Sequence, residues 1–120
     1  MTVEDVVAAQ LEMTDGTWGA LRGEGVVEGS LLRLDFTFLG GEEGAAEELK
    51  RALSGEVAVV QVSAHQTGVF RKRRVWLVTG TTEPRPVSLP ALREWVERLV
   101  RLGDQYGMEF DGWGAEVPST

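Results

Sequence analysis

The sequence predicts an α+β fold: two split βαβ units forming a four-stranded antiparallel sheet with two helices on one face, preceded by a short N-terminal helix. Three observations predict it. Residues 31–39 alternate apolar and polar with a period of two, residues 88–106 carry an apolar stripe at helical spacing, and the strand-like and helix-like segments succeed one another as βαββαβ. A chain of 120 residues, 42% of them hydrophobic, suits one core and hardly two.

Val3, Val6, Val7 and Leu11 recur at helical spacing, with Glu4, Asp5, Gln10 and Glu12 off the stripe. This predicts a short amphipathic helix that ends at Thr14-Asp15-Gly16 and must dock on something, because a lone helix of that length is marginal in water. Trp18 to Gly29 is glycine-rich and aperiodic and is expected to be a loop or a ragged strand. The first clear strand is Leu31 to Leu39, where Leu32, Leu34, Phe36 and Phe38 alternate with Arg33, Asp35 and Thr37, and Gly40-Gly41 ends it. Glu42 to Leu53 reads as a helix with Ala45, Ala46, Leu49, Ala52 and Leu53 inward. Its acids stand at the start and Lys50-Arg51 in the last turn, which complements the helix dipole.

Val57 to Ala64 predicts a second strand and Arg74 to Thr81 a third, joined by a hairpin connection over His65 to Arg73. Glu83-Pro84-Arg85-Pro86 is expected to be a rigid link, since proline cannot continue a central strand. Ser88 is placed as a helix N-cap with Pro90 in the first turn. Leu92, Trp95, Val96, Leu99, Val100, Gly103 and Tyr106 form the buried stripe of that helix. Glu94–Arg98 and Glu97–Arg101 are spaced for ion pairs on its outer face. Gly103 on the inner stripe lets the helix lie close to a sheet, and Gly107 stops it. Met108 to Val117 is a fourth strand broken by glycines. The whole is the ferredoxin-like arrangement, divided as residues 1–29 for the N-terminal helix and glycine-rich lead-in and residues 30–118 for a single domain.

Composition narrows the function. With no cysteine there is no disulfide framework, thiolate zinc site or cysteine nucleophile, which is compatible with a reducing cytoplasm. No stretch is long and apolar enough to span a membrane, and Met1-Thr2-Val3-Glu4-Asp5 lacks the layout of a secretory signal. A net charge of −7 counts against nonspecific nucleic-acid binding and suits a protein partner.

The most specific string is Glu109-Phe110-Asp111-Gly112-Trp113-Gly114. Asp111 can accept a hydrogen bond from the backbone two residues on, and Gly112 can adopt positive φ. Together they kink or bulge the strand and aim the indole of Trp113. Trp113 then either packs under the second helix of the βαββαβ unit or over a sheet edge, or serves as a partly exposed interface anchor. Arg71-Lys72-Arg73-Arg74 is the one strong local charge reversal. It reads first as edge protection, and second as a contact for RNA phosphates or an acidic partner, with Phe70 and Trp76 beside it for stacking. His65 is the only histidine and has no neighbouring nucleophile or orienting carboxylate, so it is expected to be a hairpin-end residue. Glu42-Glu43 and Glu47-Glu48 form a solvated helix face, and Gly23-Glu24-Gly25 lacks the lysine–hydroxyl pair and following helix of a phosphate loop.

The run from Leu99 to Gly114, LVRLGDQYGMEFDGWG, resembles the C-terminal helix and strand of the regulator of ribonuclease E activity B (RraB) family, whose leucine-rich helix leads into a Tyr-Asp-Gly-Trp-Gly-like string. The N-terminal helix ending in Asp15-Gly16 and the alternating first strand also fall where that family has them. Phe110 stands where a tyrosine is common. The best-known members end in a long acidic tail, whereas this sequence ends at Thr120, soon after Pro118. The resemblance implies a ferredoxin-like fold and a non-catalytic cytoplasmic, bacterial protein that binds an endoribonuclease and restrains RNA decay, with no cofactor or metal. Asp111, Gly112 and Trp113, with Arg71, Lys72, Arg73 and Arg74, are the interaction candidates. RNA binding is expected to be weak at most, and an exposed sheet edge leaves room for pairing two copies. The alternative is a nucleic-acid-binding module of the same topology that uses the basic hairpin and a stacking platform on the sheet.

Overall fold

The computed structural model describes residues 2–67 and 73–117. In chain order these form α1 (Val3–Gly23), β1 (Leu31–Gly40), α2 (Glu43–Leu53), β2 (Val59–Thr67), β3 (Arg73–Thr81), β4 (Arg85–Pro86), α3 (Leu89–Gln105) and β5 (Glu109–Glu116). The result is an α+β fold with an antiparallel sheet and three helices. β1 lies in the middle, between β3 and β5, and β2 extends the sheet beyond β3.

The alternation in β1 decides which face is covered. Leu32, Leu34, Phe36 and Phe38 are buried on one side, while Arg33 and Asp35 are exposed on the other. α2 contributes Ala46, Leu49 and Leu53 to the buried side, and α3 contributes Leu92, Trp95, Val96, Leu99 and Val100. The other face of the sheet carries no helix among the described residues. At the far end of the β2–β3 ladder, Ala64, His65, Gln66 and Arg74 are exposed on both faces, so this pair reaches past the helices.

Gly103 shows how closely α3 approaches. A Cβ there would stand 2.7 Å from the Met108 carbonyl oxygen and 2.7 Å from the Phe38 ring, so only glycine fits. Ser88 caps the helix as expected, accepting the Ala91 N–H at 3.2 Å. Gly107 ends it at φ 74°.

Two expectations require correction. The first helix does not stop at Thr14-Asp15-Gly16 but runs to Gly23, and Trp18 to Gly23 is helix rather than loop. The stripe continues through Thr14, Trp18 and Leu21, all buried, and α1 packs along α3. Burying an indole and a leucine is worth several kcal/mol and outweighs roughly 1 kcal/mol for each exposed helical glycine, Gly16 and Gly19. The N-terminus is fixed by a capping box in which Thr2 Oγ1 accepts the Asp5 N–H while the Thr2 N–H donates to the Asp5 carboxylate.

The second correction concerns strand number, five rather than four. Residues Arg85–Pro86 of the expected link pair with Leu32 and Leu31, on the side of β1 that β3 occupies further along. Thr82 splices the two: its N–H donates to the Leu34 carbonyl at 2.8 Å and its Oγ1 accepts the Leu34 N–H at 3.0 Å. A side chain thus replaces a ladder carbonyl, which explains a fully buried threonine and lets Pro84 interrupt the ladder at little cost.

Of the two ion pairs anticipated on α3, Glu97–Arg101 forms at 2.9 Å. Arg98 instead reaches Glu56, before β2, at 2.8 Å.

Candidate protein-interaction surface

The Asp111-Gly112-Trp113-Gly114 string sits on β5 and builds a β-bulge. Thr37 of β1 faces Gly112 and Phe38 faces Phe110, which leaves Asp111 without a partner. Gly112 has φ 148°, a conformation that side-chain-bearing residues rarely adopt. The extra residue has a packing consequence. In a regular strand residues 110 and 113 would point to opposite faces; with the bulge, Phe110 lies opposite Phe38 and Trp113 opposite Phe36, both on the core side.

Trp113 is half-buried and turned inward. Its indole N–H donates to Thr14 Oγ1 at 3.0 Å, and that hydroxyl donates in turn to the Gln10 carbonyl at 2.8 Å. Thr14 is fully buried, so one threonine satisfies both itself and the tryptophan. The Trp113 ring meets Trp95 edge-on at 6.0 Å, and an edge-to-face series continues through Phe36 and Phe38 to Phe110. Gly114 has a separate role: a Cβ there would come within 3.1 Å of the Asp35 carboxylate across the strand pair. The motif therefore ties β5 to α1 and α3 on one side and makes room for an acidic side chain on the other. Asp111 is exposed at the bulge.

Half of the basic cluster, Arg71 and Lys72, lies outside the described residues. Arg73 opens β3. Arg74 is exposed, its guanidinium 5.9 Å from the Trp76 ring centroid. His65 is exposed on β2, opposite Val75. Among the described residues no cluster of histidine, aspartate and glutamate could hold a metal ion.

The helix-free face of the sheet is the largest feature that the sequence did not define. By strand alternation it presents Arg33, Asp35, Thr37 and Leu39 from β1, Val75, Leu77, Thr79 and Thr81 from β3, and Val59, Gln61, Ser63 and His65 from β2. Glu109 and Glu116 border it on β5. A shallow depression lies between Asp35, Thr37, Gln61, Thr79 and Thr81. No aromatic side chain stands on this face among the described residues: Phe36, Phe38, Trp76, Phe110 and Trp113 all pack toward the helices. The described side chains of this face mix threonines, serine and glutamine with Leu39, Val59, Val75 and Leu77, and Asp35, Glu109 and Glu116 stand there with Arg33.

Electrostatic contacts concentrate at the seam of α1 and α3. Arg101 spans Glu4 and Glu97, and Arg93 meets Asp15. Hydrogen bonding to the Arg101 guanidinium holds the Glu4 carboxyl below its usual range, and raises Arg101 further. The Thr2 backbone N–H in the capping box holds Asp5 down in the same way. The sequence reading missed Thr14 as the partner of Trp113. The signal available was Trp18 and Leu21, which extend the Val7 stripe at helical spacing past the supposed stop.

No curated protein matches the chain. Among solved structures it is similar to CutA from Synechococcus elongatus, determined in complex with Bis-Tris, at 18% identity and a TM-score of 0.46, over 78% of this chain and 88% of that one. Residues 11–115 match the family model described as regulator of ribonuclease activity B, RraB, a span from the middle of α1 to the end of the β5 motif. The chain belongs to the RraB family, whose name is that of a regulator of ribonuclease activity.

Proposed function

We propose that this protein is a non-catalytic regulator that binds an endoribonuclease and restrains RNA decay in the bacterial cytoplasm, and that it does so through the open face of the sheet and the exposed rim of β5 around Asp111. The family name supports the regulatory role. The observation that carries the choice of a protein partner is the open face itself, on which Asp35, Glu109 and Glu116 stand with Arg33 among threonines and aliphatic side chains, with every described aromatic of the sheet turned the other way. A sheet that reads RNA needs exposed rings on which bases stack and positive charge for the phosphates. This face offers threonines, aliphatic side chains and carboxylates instead, on a chain of net charge −7. A basic surface of the enzyme fits it by charge complementarity. The finer fold reading that accompanies this is ferredoxin-like: the long strands lie in the order β2-β3-β1-β5, with β4 a short addition.

The test is titration of the purified endoribonuclease from the same cell with the wild-type protein and with Asp35→Lys/Glu116→Lys. Binding by the wild type and a loss of about tenfold or more in the charge-reversed variant is the expected result. No binding of the enzyme, together with tight, salt-tolerant binding of short RNA that Arg71→Ala/Arg74→Ala abolishes, overturns the proposal in favour of a nucleic-acid module.

A further inference from the structure

The two outer strands of the sheet are finished differently. β5 carries Glu109, Asp111 and Glu116 and is broken by a bulge with a positive-φ glycine. These are the devices by which proteins keep an edge from pairing with another chain. β2 has none of them. Its nine residues, Val-Val-Gln-Val-Ser-Ala-His-Gln-Thr, include no lysine, acid or proline, its pairing with β3 runs without a register shift, and among the described residues it pairs with nothing else. Alternate residues of such an edge turn a backbone N–H and C=O outward with no partner. It also exposes apolar surface, Val59 being 51% exposed.

We propose that β2 is a self-association edge: two copies of this chain pair β2 with β2 antiparallel across a two-fold axis near Ser63, making one continuous sheet. Charge selects the occupant. At −7 per chain, two copies repel over most of their surface, and the described part of β2 is a stretch where they meet without opposing like charges. A strongly basic or acidic partner would find no complement there. The strand is also self-complementary about its middle residue, as a two-fold contact requires. With Ser63 on the axis, Val62 of one copy faces Ala64 of the other on the helix side, and Gln61 faces His65 on the open side, where the two can hydrogen-bond. The contact is one strand pair with few side chains, below the area of a stable obligate dimer, so a concentration-dependent dimer is expected rather than a permanent one. The inference is independent of the ribonuclease reading, because its test contains no ribonuclease.

Sedimentation velocity over roughly 1 μM to 1 mM, the range a small interface calls for, should show the wild type shifting from monomer to dimer. Gln61→Lys/Ser63→Lys, both on exposed open-face positions, should remain monomeric with an unchanged circular dichroism spectrum, whereas Glu109→Lys on the opposite edge should dimerise like the wild type. Hydrogen exchange at the two ends of the range should slow the outward β2 amides by about tenfold or more at high concentration and leave β5 unchanged. A wild type that stays monomeric throughout, a dimer that survives the β2 lysines, or a dimer without added protection in β2 overturns the proposal.

Discussion

Replacing Thr14 by valine tests whether the Trp113 indole is a structural tie. Valine keeps the shape of threonine and removes only the hydroxyl that accepts the indole N–H at 3.0 Å. The Gln10 carbonyl, which that hydroxyl also contacts, lies within α1, so the indole N–H is the group left unpaired. Trp113 is half-buried rather than sealed, which places the penalty near the lower end of the range for an orphaned donor, about 1–1.5 kcal/mol. For a chain of 120 residues, an unfolding entropy of roughly 2 cal/mol/K per residue converts this to a fall in Tm of about 4–6 °C. Urea melts of Thr14→Val, Trp113→Phe and the double variant close a cycle, with an expected coupling of about 1 kcal/mol. Additive effects, with coupling within about 0.3 kcal/mol of zero, would refute the claim that this hydrogen bond holds β5 to α1.

Other perturbations probe separate parts of the fold. Gly103→Ala forces a methyl against the Met108 carbonyl and the Phe38 ring and should cost about 2–3 kcal/mol in chemical denaturation; a neutral result would mean that α3 does not lie as close as described. The depressed Glu4 and Asp5 carboxyls set a pH dependence. Because their folded values lie below the unfolded ones, the contribution is fully present above about pH 4.5 and is lost as pH falls through the folded values. Carboxyl NMR titration should find both groups below their usual range, with amide exchange in the first turn of α1 rising in parallel; ordinary titration of both would contradict the capping box and the Arg101 contact. Short RNA should bind weakly, with the interaction lost on a modest rise in salt, as read by fluorescence anisotropy. Affinity that persists at high salt would favour the alternative in which Arg71-Lys72-Arg73-Arg74 contacts RNA phosphates.

The sheet and its covered face were legible because β1 alternates cleanly and α3 keeps one stripe through Gly103, so local pattern and tertiary packing agree there. The first helix was misjudged where they disagree. Gly16 and Gly19 are poor helix formers, and only docking onto α3, a contact between segments roughly 80 residues apart that no local window contains, keeps the helix going to Gly23. β4 was hidden for a related reason: the Thr82 hydroxyl substitutes for a strand carbonyl, and no propensity encodes that substitution. The bulge at Asp111-Gly112 could be read from its two residues, but not its effect, which is to bring Phe110 and Trp113 to the same face. The open face was not legible in the sequence because Val75 and Leu77 on β3 are as apolar as Trp76 and Val78, so which side turns outward shows only once the strands are set side by side.

One measurement distinguishes most directly between action on a ribonuclease and action on RNA. The endoribonuclease from the same cell is assayed for cleavage of a short fluorogenic RNA while this protein is titrated in, at two substrate concentrations well apart. Binding to the enzyme predicts that the cleavage rate falls and levels off near stoichiometric protein, at a protein concentration that follows the enzyme and not the RNA. A rate that is unchanged at large excess, or that falls only when the protein matches the RNA concentration, would contradict it.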